Sequence, residues 1–184
     1  MSFTLTENSK SVVKNENCEV NEDFPQINLP PERLSLLYQV SKLIHSTLDS
    51  QEALHLIVSE AVRLMRASSG SLVLINPTTN FLEIHAAQNL SSAARKLKLR
   101  VGEGVTGQVA QTGQPIRIGD VTQDKHYVSV RRDVRSELAV PLEVQGEVRG
   151  VINVDSNRVN AFSADDQELL QELAILAADR TSVM

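Results

Sequence analysis

Between Ser136 and Asp155 the chain reads SELAVPLEVQGEVRGVINVD, with Leu138, Val140, Leu142 and Val144 at alternate positions, then Val148, Gly150, Ile152 and Val154 after a turn. A period of two commits side chains to opposite faces of a strand, so each run must bury one face against a core. Gln145-Gly146 between the runs supplies the tight turn of a hairpin. Upstream, Ser71 to Ile75 is nearly continuous in apolar residues, as expected of a central strand covered on both sides. Asn76-Pro77-Thr78-Thr79-Asn80 then turns it into Phe81 to Ala87, a second hairpin. A mostly antiparallel sheet follows.

The flanking segments change period. Residues 1–31 are polar, rich in Asn, Ser, Glu and Lys, and read as a flexible arm or linker before a domain over residues 32–184. A helix is expected from Pro31, because proline is tolerated in a first turn. It places Leu34, Leu37, Ser41, Ile44 and Leu48 on one stripe. A second helix, with Ser50 as N-cap, aligns Leu54, Ile57, Ala61, Leu64 and Met65 and ends over Ala67 to Gly70. Ser91 to Lys98 is a basic, partly helical connection. Ser163 caps a last helix with Leu169, Leu170, Leu173, Leu176 and Ala177 on its inner stripe. Helices at both ends and a sheet between them predict an α+β sandwich.

Gly102, Gly104 and Gly107 form a literal Gly-x-Gly-x-x-Gly. A dinucleotide site would need a strand before it, a full crossover helix and a parallel strand after it. Leu97 to Val101 and Ile116 to Ile118 can be strands, and Asp120 lies near the place of a ribose-binding acid. Only about two helical turns fit before Thr112-Gly113-Gln114-Pro115, however, too few for a parallel crossover. The glycines therefore read as turn residues, and GEGVTG without a following Gly-Lys-Ser/Thr is no nucleoside-triphosphate loop.

Composition excludes further classes. Aromatics are 3% of the chain, Trp is absent and the net charge is −5. Stacking platforms and a basic surface for nucleic acid are therefore lacking. The N-terminus has no sustained apolar run, so neither a membrane span nor a signal peptide is expected, and a cytoplasmic location follows as the default. Cys18 is the one cysteine, which excludes an intrachain disulfide or Cys-rich metal cluster. No metal site is expected: His45, His55, His85 and His126 show no paired ligand spacing, and no Ser-His-Asp order or elbow motif stands out.

VGEGVTGQVAQTGQPIRIGDV followed by SELAVPLEVQGEVRGVINVDS resembles the GAF family of small-molecule sensor domains, over roughly Leu34 to Leu176. The resemblance implies terminal helices on one face of the sheet, with short helices and loops closing a pocket over the other. It also implies a homodimer through the terminal helices, with Leu34, Leu37, Ile44, Leu169, Leu173 and Leu176 as the candidate seam; packing of all six on the sheet is the alternative. Enzymes of this family reduce free methionine sulfoxide with cysteines inside the domain. This domain has none and thiol redox chemistry needs a thiolate, so the chain is read as not an enzyme.

By the same resemblance the ligand pocket is expected at Gly104, Val105, Thr106 and Gly107, at Ile118, Asp120 and Val121, at Asp124, His126 and Tyr127, and at Ser136 with Leu138. Helix-start amides there can receive an anion, the two aspartates can accept from a base or sugar, and Tyr127 can stack on a ring. Asp120 and Asp124 are equally good turn formers. Cyclic-nucleotide-binding members carry Asn-Lys, Phe and Asp-Glu; here Asn157, Phe162 and Asp166 match, while Arg158 and Gln167 stand for Lys and Glu. An Arg158–Asp166 ion pair is expected to hold that loop. Cyclic GMP or AMP is a candidate ligand; haem on His126 and bilin on Cys18 are disfavoured. The basic residues Arg95, Lys96, Lys98, Arg100, Arg131, Arg132 and Arg135 read as a solvated face. The expectation is a sensory module of a bacterial two-component or cyclic-nucleotide signalling protein, with an attached output domain. The alternative is a ligand-free dimerisation module with a collapsed pocket.

Overall fold

The computed structural model describes residues 31–47, 49–96, 98–124, 127 and 133–181. Among them are five helices, α1 (Pro31–His45), α2 (Ser50–Leu64), α3 (Ser92–Lys96), α4 (Gly104–Thr112) and α5 (Ala164–Thr181). Six strands accompany them: β1 (Ser69–Ile75), β2 (Phe81–Gln88), β3 (Leu99–Arg100), β4 (Ile116–Ile118), β5 (Ser136–Val144) and β6 (Glu147–Ser156). They form one sheet in the order β3-β2-β1-β6-β5-β4, with antiparallel pairing throughout. This is the α+β architecture expected. Cys18, Leu48, Leu97, His126, Arg131 and Arg132 lie outside the described residues.

The period-two pattern sorts the two faces. Leu72, Leu138, Val140, Leu142, Ile152 and Val154 point to α2 and α5, where Leu54, Ile57, Leu170 and Leu173 complete the larger core. Val73, Ala139 and Val151 point the other way, against Val105, Val109 and Ala110 of α4. Burying a Leu or Ile side chain contributes about 1.5–3 kcal/mol. The helix-side cluster, rich in such residues, therefore anchors the domain, and the smaller cluster leaves room for a cavity.

Local chemistry sets the helix ends. Asp49, rather than Ser50, caps α2: its Oδ1 accepts from the N–H groups of Gln51 (2.8 Å) and Glu52 (3.2 Å). A carboxylate at this position also interacts favourably with the positive end of the helix dipole. Ser163 begins α5 as expected, its Oγ accepting from the Asp166 N–H at 3.1 Å while Asp166 Oδ2 accepts from the Ser163 N–H at 2.8 Å. That reciprocal cap occupies the Asp166 carboxylate, so the expected ion pair to Arg158 does not form. Arg158 reaches the carbonyl of Arg66 instead, at 3.4 Å.

The glycine motif builds no parallel unit, since β3 and β4 lie at opposite edges of the sheet and α4 crosses between them. Gly102 has φ +89° and Gly104 φ +65°, backbone that L side chains rarely adopt. Gly107 is required by space: a Cβ there would collide with the carbonyl oxygen of Arg100. The turn closes with the Gly102 N–H donating to the Gly107 carbonyl at 2.7 Å.

The candidate dimer seam is divided. Ile44, Leu169 and Leu173 are buried within the chain, Leu37 and Leu176 pack partly against the same core, and Leu34 stays 52% exposed. Tyr38 and Leu43 on α1, at 67% and 44%, and Ile175 on α5, at 59%, are the other large apolar side chains exposed on these helices among the described residues.

Candidate functional site

A cavity of about 90 Å³ lies on the α4 side of the sheet. Its apolar wall is Val73, Leu82, Ile84, Leu90, Ala94, Leu99, Val105 and Val134; its polar wall is Ser71, Thr106, Glu137, Asn153 and Asp155, with Gly104 and Tyr127 completing the lining. The polar wall follows from strand register. Asn153 and Asp155 are two apart on β6 and so share a face, and Glu137 lies opposite Asp155 on β5. Ser69 and Ser71 of β1 face the same two β6 residues.

These groups are hydrogen-bonded into a network. Ser69 Oγ donates to Asp155 Oδ1 at 2.6 Å, and Ser71 Oγ donates to Asn153 Oδ1 at 2.6 Å. Asn153 Nδ2 donates to Glu137 Oε1 at 3.3 Å. Glu137 is 6% exposed. Burial and, next, the negative charge of Asp155 push its carboxyl up to about 8, against the hydrogen bonds from Asn153 and Thr106, which favour the ion. Both causes favour the neutral carboxyl of Glu137, which can donate as well as accept.

Of the residues expected from sequence, Gly104, Val105, Thr106 and Tyr127 line the cavity. The lining does not include Gly107, Ile118, Asp120, Val121, Asp124, Ser136 or Leu138. Gly107 is at the closing turn, and Leu138 faces the helix-side core because its neighbour Glu137 takes the cavity face. Ile118 packs beside the α4-side cluster. Asp120 caps the short helical turn Val121–Gln123; its Oδ1 accepts from the Thr122 N–H and hydroxyl, and Arg135 pairs with Oδ2 at 3.2 Å. Those contacts, the Thr122 hydroxyl foremost, hold the Asp120 carboxyl below the usual carboxylate range. Asp124 follows that turn and adds its charge to the field raising Glu137. The Ser136 hydroxyl donates to the Arg158 carbonyl at 2.7 Å. His126 lies outside the described residues.

Sequence reasoning missed Glu137, Asn153 and Asp155. The available signal was polar residues within otherwise buried strands, SELAV and INVDS, at positions alternate to the apolar stripe. Among the described residues no group of three potential metal ligands converges, and no helix is long and apolar enough to cross a membrane. Three described members of the basic cluster are engaged locally: Arg135 with Asp120, Arg100 over the Phe81 ring at 4.8 Å, and Arg95 with backbone carbonyls. A larger hollow of about 640 Å³ lies between the β1–β2 and β5–β6 turns and the end of α5. Its polar residues, including Glu83, Glu147 and Arg149, are not buried. The buried polar residues of its wall therefore mark the first cavity as the better site.

A family model described as GAF domain matches residues 47–179. The Nif-specific regulatory protein of Azospirillum lipoferum is 29% identical over 130 residues, 66% of this chain and 21% of that protein. The chain thus spans about a fifth of the length of that relative. The GAF domain of a phosphoenolpyruvate-protein phosphotransferase from Coxiella burnetii superposes with a TM-score of 0.76 at 24% identity, covering 82% of this chain and 93% of that one. The free methionine-R-sulfoxide reductase of Escherichia coli is 30% identical over 77 residues, 42% of this chain and 47% of the enzyme. That likeness overturns the expectation that the chain is not an enzyme: its relatives include catalysts as well as regulators.

Proposed function

The chain belongs to the GAF domain family, and on that premise we propose that it is a regulatory domain binding a small molecule with a hydrogen-bonding polar head and a compact apolar body. The observation that carries this reading is the cavity of about 90 Å³ with one polar and one apolar wall. Pockets for drug-sized ligands are roughly 300–1,000 Å³, so the volume favours a ligand of amino-acid or small-amine size. A cyclic nucleotide, with base, sugar and phosphate, is much larger. Its phosphate would also face the Asp155 side chain, and the described lining carries no cation to receive it. Haem and bilin are disfavoured by the same volume.

Ligand occupancy is relayed, in this proposal, through α1 and α5 to an attached signalling output domain. The Nif-specific regulators support that reading, since a similar segment forms about a fifth of a longer regulatory protein. The exposed Leu34, Tyr38 and Ile175 favour a homodimer with these helices at its centre. A coupling of about 1–3 kcal/mol between ligand and helix arrangement suffices for such a relay.

A thermal-shift screen tests the proposal, using amino acids including methionine and its sulfoxide, small amines and cyclic nucleotides, with sulfoxide consumption followed in the same samples. A ligand at 100 times its Kd adds about 2.7 kcal/mol, a shift of several degrees. Hits are expected among small donor-bearing molecules. A cyclic-nucleotide hit would overturn the size argument, and a flat screen with an intact dimer would establish the ligand-free interaction module instead.

A further inference from the structure

We propose that the cationic edge formed by α3 and β3 is the docking surface for the acidic stretch at residues 16–23 of the chain's own N-terminal arm. The edge carries Arg95, Lys96, Lys98 and Arg100 within six positions that hold no acidic residue. All four are exposed. The arm carries Glu16, Glu19, Glu22 and Asp23 within eight positions that hold no basic residue. The two runs match in number of charges and are opposite in sign.

The cations of this edge have no acidic partner among the described residues. The described ion pairs lie elsewhere, at Arg63–Glu60, Arg135–Asp120 and Arg149–Glu147. Arg95 donates to the carbonyls of Ala87 and Leu90, and Arg100 sits over the Phe81 ring, contacts that bring no carboxylate to either guanidinium. Glu103, the next acid along the chain, accepts from the Arg100 N–H at 3.2 Å. With a screening length of about 8–10 Å at ordinary salt, neighbouring like charges on the edge repel. An acidic stretch laid along it relieves that repulsion.

The fold brings the root of the arm within reach. Arg180, in the last turn of α5, donates to the Ile44 carbonyl at 3.0 Å and ties the ends of α5 and α1 together. α5 follows β6, whose Asp155 pairs with Ser69 at the start of β1. α1 lies along the helix-side core through Leu37, Val40 and Ile44, so it too begins towards the end of the sheet where β1 starts. There Gly70 pairs with Gln88, the last residue of β2, and α3 follows from Ser92. α1 packs on α2, α2 packs on β2, and β3 borders β2. Helices pack about 8–10 Å apart and strands about 4.8 Å. Residues 24–31 span up to about 26–29 Å, enough to carry the acidic stretch past α2 to the edge. Such a tether gives an effective concentration in the millimolar range, so exposed pairs that are individually weak suffice together.

Cys18 lies inside the acidic stretch and is the only cysteine, so a nitroxide spin label on the native thiol reports where the stretch resides in the full chain. In amide correlation spectra at about 50 mM salt, the Lys96, Lys98 and Arg100 signals are expected to lose more than about half their intensity, and to regain it at about 1 M, where the screening length is about 3 Å. Glu16→Gln, Glu19→Gln, Glu22→Gln and Asp23→Asn together should abolish the loss without altering the domain. Lys96→Gln with Lys98→Gln should reduce it, and neither lysine has a hydrogen bond or ion pair among the described residues to lose. Broadening that persists in the neutralised arm would reduce the contact to tethering and overturn the proposal. So would broadening centred away from this edge, or none at low salt, which would leave the basic face to an external acidic partner. Mixing spin-labelled chains with unlabelled, isotope-enriched ones separates the copies. Undisturbed signals in the enriched chain support docking within one chain; broadened ones would place the arm on a second copy and overturn it. The ligand screen has no bearing on these readings.

Discussion

Glu137→Gln should change how stability depends on pH, and its direction follows from the polar wall. The Glu137 carboxyl is held up to about 8 in the folded chain, first by burial and then by the Asp155 charge, whereas in an unfolded chain it ionises near its ordinary value of 4.5. Between these values the folded state binds the extra proton, so stability is fullest below about 4.5 and falls as pH rises towards 8. At about 1.36 kcal/mol per pH unit, the two-state difference between pH 5 and pH 8 is on the order of 2–4 kcal/mol for this group. Glutamine has no proton to lose and keeps a carbonyl oxygen for Asn153 Nδ2. Urea unfolding of both proteins at half-unit steps from pH 5 to 8 reads the contribution of Glu137 together with its coupling to Asp155 and Asp124, because titrating groups that do not interact with Glu137 cancel in the difference. The variant should gain roughly 2–4 kcal/mol on the wild type across that window. Parallel profiles, differing by less than about 0.5 kcal/mol in slope over the window, would refute the reasoning that Glu137 is folded in its neutral form.

Three other perturbations probe the remaining structure. Gly107→Ala drives a Cβ into the Arg100 carbonyl and should destabilise by about 1–3 kcal/mol, read as a lowered urea midpoint at unchanged m-value. Ser163→Ala removes one half of the reciprocal cap on α5 and should cost about 1 kcal/mol by the same measurement; no loss would mean that Asp166 alone caps the helix. Tyr38→Glu with Ile175→Glu places charge on the exposed apolar residues of α1 and α5; sedimentation should show a dimer for the wild type and monomer for the variant, and equal dimerisation of both would move the interface elsewhere.

The folding elements were legible where one short stretch of chain carries its own physics. Alternation in residues 138–154 sets two strands and their turn, the stripes on α2 and α5 find the helix-side core, and Ser163 marks a helix start because its cap acts three residues away. Even the failure of the dinucleotide motif was readable, since nine helical residues cannot make a parallel crossover. Asp49 displaced Ser50 as the α2 cap, a choice between adjacent capping residues that spacing does not make.

The site was legible only in part. Gly104, Val105 and Thr106 were found because a single turn presents them together. Glu137, Asn153 and Asp155 escaped because their meeting depends on the pairing of β1, β6 and β5, with Ser71 and Asn153 joined across 82 positions of chain. Cavity volume and the protonation of Glu137 are likewise properties of the assembled walls. Sequence alone determined which segments are strands and helices and which faces they bury, because propensity and periodicity are local. Tertiary structure alone decided which polar groups share one cavity, because strand register brings distant residues into contact and only that contact sets their desolvation and charge.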